Sequence, residues 1–428
     1  MTSRTAMRAG LTVLLAGLAA ALLAAPTAET APAAKVKSPW QLFPGAKMDV
    51  SLPLLALGSA ANRVWIVTPM NDVPILRSAR VSGGRLATFA QTRVPTSADL
   101  TIPIVDGQLV LQKADTTKSN EYTLTATTLP LLAGGGLGAP RAVPDDLLAR
   151  AKEAVPKVWS AGIVNGVGAG NRVVWALEAA PECHSMGGCR GFFLACCSEA
   201  GAAVDLTRFV DPRENLLRYT LHVGRDSNGR IWLAWLDNRD YRHAARGFPR
   251  ILELDGSTLR PLSQAAAIPG LVADRIDLAC ASSCRVVAQT SLGDIVSWAP
   301  GERSPTRVAS HWDRGKYGDS PMWLLAATYR SGHLLVAYWG DKGKTIYADN
   351  SVRNDIRVAR GNTRGGGARV VSAIPVANSW PPQSLGESIA GPIIYGTFTP
   401  GGLVAIETFT YTPRDSSPVA AAVVPLGP

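Results

Sequence analysis

The chain has 428 residues, 46% of them apolar or aromatic and 18% charged, with 41 Gly and 30 Pro. That composition carries enough apolar surface for a large core and too little charge for a disordered chain, and it suits a turn-rich β protein better than a helical one. The formal charge of +10 draws a protein toward anionic polymers in general, but the basic residues are scattered and form no nucleic-acid motif.

The first residues read as a targeting segment. Arg4 and Arg8 precede a 15-residue apolar run at 11–25, and small residues follow with Ala31-Pro32-Ala33 in an A-x-A pattern. This is the plan of a secretory signal peptide over 1–34, an uncleaved anchor being the alternative. The run is shorter than the ~20 residues that span a bilayer, and no later segment is long and apolar enough to do so. The expected location is outside the cytoplasm, secreted or periplasmic.

Beyond residue 35 a single design recurs: an apolar run, a tight polar turn, and a second apolar run. It is found at 52–68, 100–112, 159–178, 216–240, 275–290, 322–339 and 391–409. Gly, Asn, Asp and Ser fill the turns, and Val, Ile, Leu and Trp fill the runs. Most second runs lead into a polar loop, a third run, a short turn and a weaker fourth run. VPILRSAR and RLATFA follow the first unit, FPRILELD and TLRPLS the fourth, GDIVSWAP and PTRVAS the fifth, NDIRVARG and ARVVS the sixth. Four strands in each of seven units predict one all-β domain over 35–428, a seven-bladed β-propeller, with six blades as the alternative. The seventh unit lacks a fourth run, and residues 43–50 are expected to supply it by pairing the chain ends. Residues 130–158 break the pattern. A Gly-rich stretch and a short helix beginning at Pro144, Asp145 and Asp146 read as an insertion on the rim or over the top face.

The six cysteines are Cys183, Cys189, Cys196, Cys197, Cys280 and Cys284. An even count in an exported chain favours disulfides. Cys280 and Cys284 flank a short turn and are the clearest pair. The other four allow three connectivities; Cys183 with Cys189 is preferred, leaving the adjacent Cys196 and Cys197. A zinc site lacks matched partners. No metal or other cofactor is expected.

In a propeller the first strands line the axis. The connections into first strands and from second to third strands share one face. Four segments there are unusually polar or aromatic: 237–247, 340–355, the Cys-flanked 178–191 and 310–321. From them Asp237, Asn238, Arg239, Asp240, Tyr241, Trp312, Arg314, Tyr317, Asp341, Lys344, Tyr347 and Arg353 are candidate ligand-binding residues. Guanidinium forks suit carboxylates or phosphates, and aromatic rings suit sugar faces. An acid precedes most first strands, as Asp99, Glu214, Asp274, Asp319 and Glu387, with Asp49 a further candidate. These could ring the channel mouth, or fix each strand's start by accepting turn N–H groups. No catalytic constellation stands out. His184, His222, His243, His311 and His333 are spread among units, and His222 and His333 sit on or beside strands, where a structural role is expected. G-V-G-A-G at 166–170 is a turn between strands, which is no dinucleotide site.

At GRIWLAWLDNRD (229–240), GHLLVAYWGDKGK (332–344) and NDIRVARG (354–361) the chain resembles exported bacterial sialidase-like propellers. The match covers the fourth and sixth units well and the others by strand pattern. GNTRGGGARV and LDGSTLRPL stand where that family has its Asp-box, and no Phe/Tyr-Arg-Ile-Pro segment is present. The resemblance supports the propeller and says little about catalysis. Two functions are expected in order. The first is a binding protein, monomeric, for an extracellular glycan or anionic cell-envelope polymer. The second is a diverged glycoside hydrolase using channel-mouth acids and Arg239, Arg275, Arg314 and Arg353.

Overall fold

The computed structural model describes residues 40–426 except 49–55, 71–72, 96–103, 117–121, 144–145, 155–157, 171, 182–191, 207–214, 217–219, 239–246, 269, 311, 314–318, 321–322, 347–351, 376–392 and 409–416. Strand β1 (Gln41–Met48) comes first in the chain and belongs to the last blade. The first blade is β2 (Ala56–Ala60), β3 (Arg63–Met70), β4 (Val73–Ser82) and β5 (Arg85–Arg93). The second is β6 (Ile104–Val105), β7 (Gln108–Thr116), β8 (Tyr122–Pro130) and β9 (Arg141–Ala142), followed by helix α1 (Leu147–Ala154). The third is β10 (Val158–Ala169), β11 (Arg172–Pro181), β12 (Phe192–Cys196) and β13 (Val204–Asp205). In the fourth, β14 (Asn215–Leu216) and β15 (His222–Arg225) both pair with β16 (Ile231–Asn238), and β17 (Phe248–Leu254) and β18 (Ala266–Ala267) lie outside. The fifth is β19 (Ala273–Cys280), β20 (Cys284–Thr290), β21 (Ile295–Trp298) and β22 (Thr306–Ala309). A hairpin of β23 (Trp312–Asp313) and β24 (Asp319–Ser320) precedes the sixth blade, β25 (Trp323–Arg330), β26 (His333–Ile346), β27 (Val352–Gly361) and β28 (Arg369–Pro375). The seventh is β29 (Ile393–Thr399), β30 (Gly402–Thr408), β31 (Ser417–Val424) and β1.

Every blade is an antiparallel sheet, and the innermost strands touch in sequence around the ring, from β2 through β6, β10, β15, β19, β25 and β29 back to β2. The expected seven-bladed propeller is therefore the fold. Local turn chemistry sets its hairpins. The first-to-second strand turns at Ala61-Asn62, Asp106-Gly107 and Ser331-Gly332 have positive φ at both central residues. That is the two-residue turn whose twist matches its flanking strands.

The second strands are apolar without alternation, as in VWIV at 64–67 and IWLAWL at 231–236, because both of their faces are covered by neighbouring blades. The core is thus divided into clusters between blades. Trp65, Val67 and Leu76 pack against Leu109 and Leu129 between the first and second blades. Trp232, Leu236 and Ile251 pack against Ile276, Val286 and Trp298 between the fourth and fifth. Inner strands approach so closely that a Cβ at Gly58 would lie 2.6 Å from Ile104, and one at Gly224 2.5 Å from Cys280 Sγ.

The chain ends close the ring. Gln41 and Leu42 of β1 pair with Ala421 and Ala420 of β31. Phe43 and Ala46 are buried among Val64, Ile66, Val404 and Ile406, and Phe43 meets Phe89 edge to face at 5.4 Å. Gln41 exchanges two hydrogen bonds with the backbone of Leu86, and the Trp40 indole N–H donates to the Pro375 carbonyl. One short segment thereby joins the sixth, seventh and first blades.

Two expectations change. In the fourth blade TLRPLS is not the outer strand; Ala266–Ala267 is. Asp255 accepts hydrogen bonds from the N–H and hydroxyl groups of Ser257 and Thr258, and Leu259 (φ 56°) is fully buried, so 255–262 forms a turn that delays the strand. The insertion is expected on the rim or over the top face, and its helix is found wedged between two blades. The Asp146 carboxylate caps it by accepting the N–H groups of Leu148 and Ala149. Leu147, Leu148 and Ala151 are buried between the second and third blades against Val110, Leu124, Ile163 and Trp175. The Gly-rich stretch before it lies on the first blade, where buried Arg63 donates to the carbonyls of Ala133 and Thr88.

Cys280 and Cys284 form the expected disulfide across the β19–β20 turn, and Cys196 and Cys197 are bonded to each other. The pairing of Cys183 with Cys189 falls outside the described residues.

Two outcomes test this account. Phe43→Ala is expected to cost about 3–5 kcal/mol in urea unfolding; an unchanged midpoint would mean that β1 is no part of the closure. The second outcome concerns Glu302. Desolvation raises its pKa, but the hydrogen bonds and charge of Arg285, which grips both carboxylate oxygens at 2.7 Å, outweigh it and leave the pKa lowered. A depressed carboxylate stabilises the fold above its unfolded pKa, and that contribution is lost as pH falls through the folded value. Stability measured from pH 6 downward should therefore decline below roughly pH 4, and Glu302→Gln should flatten that decline.

Candidate functional site

The seven inner strands enclose an axial cavity of about 740 Å³, and every blade contributes to its wall. Two side-chain groupings give it character. At mid-depth His222 of β15 lies beside Asp277 of β19, Nδ1 to Oδ1 3.3 Å. Asp277 also accepts the N–H of Leu278 at 2.8 Å and that of Ala327, on β25, at 2.6 Å. One carboxylate thus ties the fourth, fifth and sixth blades at the channel wall.

Nearer the loop face, Arg275 of β19 holds its guanidinium 4.5 Å from the ring centre of Trp323. Trp323 in turn stacks on Trp339, with centroids 5.9 Å apart and planes within 6°. Arg275 is exposed to the cavity, yet desolvation by the protein around it lowers its pKa, opposed by the nearby Asp274 carboxylate. Gly247, which ends the polar 237–247 connection, exchanges two backbone hydrogen bonds with Ala273 just before Asp274 and Arg275. Trp339 immediately precedes the 340–355 connection. The Arg–Trp–Trp array is therefore flanked by both polar segments.

Why the strands arrive in this register is visible one layer out. The side chain of Gln112 on β7 donates to the Ile163 carbonyl at 2.8 Å and accepts its N–H at 2.6 Å. Gln289 on β20 accepts the Leu324 N–H at 2.9 Å. Both contacts fall where the inner strand of the next blade slips register, between Ile163 and Asn165 and between Leu324 and Ala326. A buried amide thus satisfies backbone groups that a bulge would otherwise leave without ladder partners. Thr68 and Asp237 hold comparable places near the ends of β3 and β16.

Asp237 corrects an expectation. It is fully buried, accepting the Trp235 indole N–H at 2.7 Å and the Arg250 Nε–H at 2.6 Å. Its carboxylate is committed inside the fourth blade and is not offered to a ligand on the loop face. Of the other candidates, Asn238, Trp312, Asp319, Asp341, Lys344 and Arg353 lie on described strands near that face. Arg239, Asp240, Tyr241, Arg314, Tyr317, Tyr347, Asp99, Glu214 and Glu387 lie outside the described residues. Among the channel-mouth acids, Asp274 is one of the residues lining the cavity. His222, expected to be structural, also faces it. Asp277 and the Trp323–Trp339 stack were missed, although the alternation of DRID on a first strand puts Arg275 and Asp277 on one face.

No family model and no curated protein matches the chain. Among solved structures it is similar to one from a study of two prolyl endopeptidases, at 13% identity over 87% of this chain and 48% of that one, TM-score 0.40. It is also similar to the polysaccharide lyase Uly1, at 9% identity over 87% and 89%, TM-score 0.37. A third is the Trypanosoma rangeli sialidase in complex with the inhibitor DANA, at 8% identity over 79% and 56%, TM-score 0.36. The chain spans about half the length of the prolyl endopeptidase and of the sialidase.

Asp237→Ala should cost about 3–5 kcal/mol, since it leaves a mostly buried arginine without its counter-ion. Urea unfolding measures this, and a loss under ~0.5 kcal/mol, typical of surface sites, would return Asp237 to the exposed loop.

Proposed function

We propose that this protein is an exported β-propeller that binds a glycan, from the cell envelope or its surroundings, at the loop-face mouth of the axial channel. The observation that carries the reading is Arg275 on the wall of a polar cavity, laid on Trp323, which stacks in turn on Trp339. Aromatic faces supply apolar contact for the C–H face of a sugar ring, while convergent polar groups fix its hydroxyls. Asn165, Thr220 and Thr328 are such groups on the cavity wall. As sequence candidates, Arg239, Asp240, Tyr241, Trp312, Arg314, Tyr317, Asp341, Lys344, Tyr347 and Arg353 are proposed to extend the binding surface. The leader-like first 34 residues and the Cys280–Cys284 disulfide support export. No helix among the described residues is long and apolar enough to cross a membrane.

Glycoside hydrolysis ranks second. It needs two carboxyl groups roughly 5–9.5 Å apart and free to act, whereas Asp277 in the channel already takes His222 and two backbone N–H groups.

A glycan-array screen with purified protein, run beside hydrolysis of fluorogenic glycosides including a sialoside, tests the reading. Binding without turnover is expected, and Trp323→Ala should weaken the leading hit by ~30-fold, the scale of an interfacial tryptophan hot spot. Turnover, or a hit indifferent to Trp323→Ala in a folded variant, would overturn it.

A further inference from the structure

The sixth blade carries a row of basic side chains at its turn end, the end opposite the 340–355 connection. Arg330 at the end of β25 is the register partner of His333 on β26. Arg360 near the end of β27 is the register partner of Leu335 on β26 and of Arg369 on β28. Residues 333 and 335 share one side of their strand, so each of the four strands places one basic residue on the same side of the sheet. That side is turned to the seventh blade. Leu334 and Val336 pack the other way, against the fifth blade, and Arg330 Nη1 donates to the Pro400 carbonyl at 3.2 Å. Arg330 and Arg369 are exposed, and His333 and Arg360 are half-buried.

Like charges directly opposite on a sheet oppose folding, and the stretches that build this boundary contain no acid to offset them. No Asp or Glu occurs in 320–340, 356–386, 388–406 or 416–428. Asp341, Asp355 and Glu407 stand at the other ends of their strands. Glu302 of the fifth blade is gripped by Arg285 on both oxygens. Within the row, His333 Nδ1 lies 2.9 Å from the Ser331 carbonyl. A carbonyl only accepts, so that nitrogen carries the hydrogen. Arg360 Nη2, 3.4 Å from the same nitrogen, therefore meets another donor. An anion placed between them would receive both.

Neighbouring strands are ~4.8 Å apart, so the row offers a donor at each step over roughly 14 Å, from axis to rim. A pyranose ring advances a polysaccharide by close to one such step, whereas a polyol-phosphate chain sets its charges farther apart. Guanidinium forks take carboxylates through paired N–H···O bonds. We propose that this row is a second binding surface, separate from the channel mouth, for a polysaccharide bearing a carboxylate on each sugar. It uses no residue of the channel site and stands or falls without it.

The test is calorimetric titration of the full chain with polygalacturonate, dextran and poly(glycerol phosphate) at physiological ionic strength. Polygalacturonate should bind at least ~10-fold tighter than either of the others. Arg360→Gln/Arg369→Gln should weaken it by at least ~10-fold, without lowering the urea midpoint, since a like-charge pair is removed. Arg369→Gln alone, at an exposed position, repeats the measurement with less risk to the fold. Arg225→Gln/Arg260→Gln, an equal charge change at exposed positions on the fourth blade, should cost less than ~3-fold, as general attraction to a basic chain would. Equal losses in the two double variants, no loss in the first, or tightest binding by dextran or poly(glycerol phosphate) overturns the proposal.

Discussion

The structure depends on one strand pairing, that of β1 with β31. Seven twisted sheets can share apolar faces all the way round only if the last meets the first. The antiparallel ladder from Gln41↔Ala421 to Met48↔Ser417 supplies that meeting. Phe43 converts it from a ladder into a packed junction, and Trp40 and Gln41 extend it sideways to Pro375 and Leu86. Without closure, the apolar faces of β3 and β30 would both be exposed, and the cavity would have no continuous wall.

Closure also crowds the axis, and the channel is a consequence of how that crowding is relieved. Glycines at 58, 166 and 224 let one inner strand approach the next where a methyl group would collide. Bulges at Ile163–Asn165 and Leu324–Ala326 shift the register, and Gln112 and Gln289 hold the displaced backbone. Trp323 and Leu324 stand just before the second of these shifts, so the indole that receives Arg275 is positioned by a buried amide from the preceding blade.

The polar groups of the blades divide by destination. Those near the ends of second strands, Thr68, Gln112, Asp237 and Gln289, are buried and work on neighbouring backbone or side chains. Those on first strands, Asn165, His222, Arg275 and Asp277, with Thr220 just before β15, line the cavity. Asp277 belongs to both classes, since it lines the channel and also receives Ala327 from the next blade. A polar residue in this fold is therefore assigned by its strand and its position along it, and polarity alone does not mark it as functional.

The repeat of turns and apolar runs pointed to seven blades with six as the alternative, to the inner hairpin of each blade and to the closing strand, and the short turn between Cys280 and Cys284 pointed to their pairing. Each of these follows from local chemistry: two-residue turns with positive φ, runs apolar on both faces, and cysteines flanking one turn. The site was legible only in part. Asp274 and Arg275 could be nominated from sequence, but Asp237 looked like a ligand-binding residue until the blade buried it against Trp235 and Arg250. The meeting of His222 with Asp277, 55 positions apart, and of Arg275 with Trp323, 48 apart, was decided only by tertiary structure. Such contacts cross from blade to blade, and the distance between blades is set by ring closure and by side chains packed elsewhere, which no local pattern encodes.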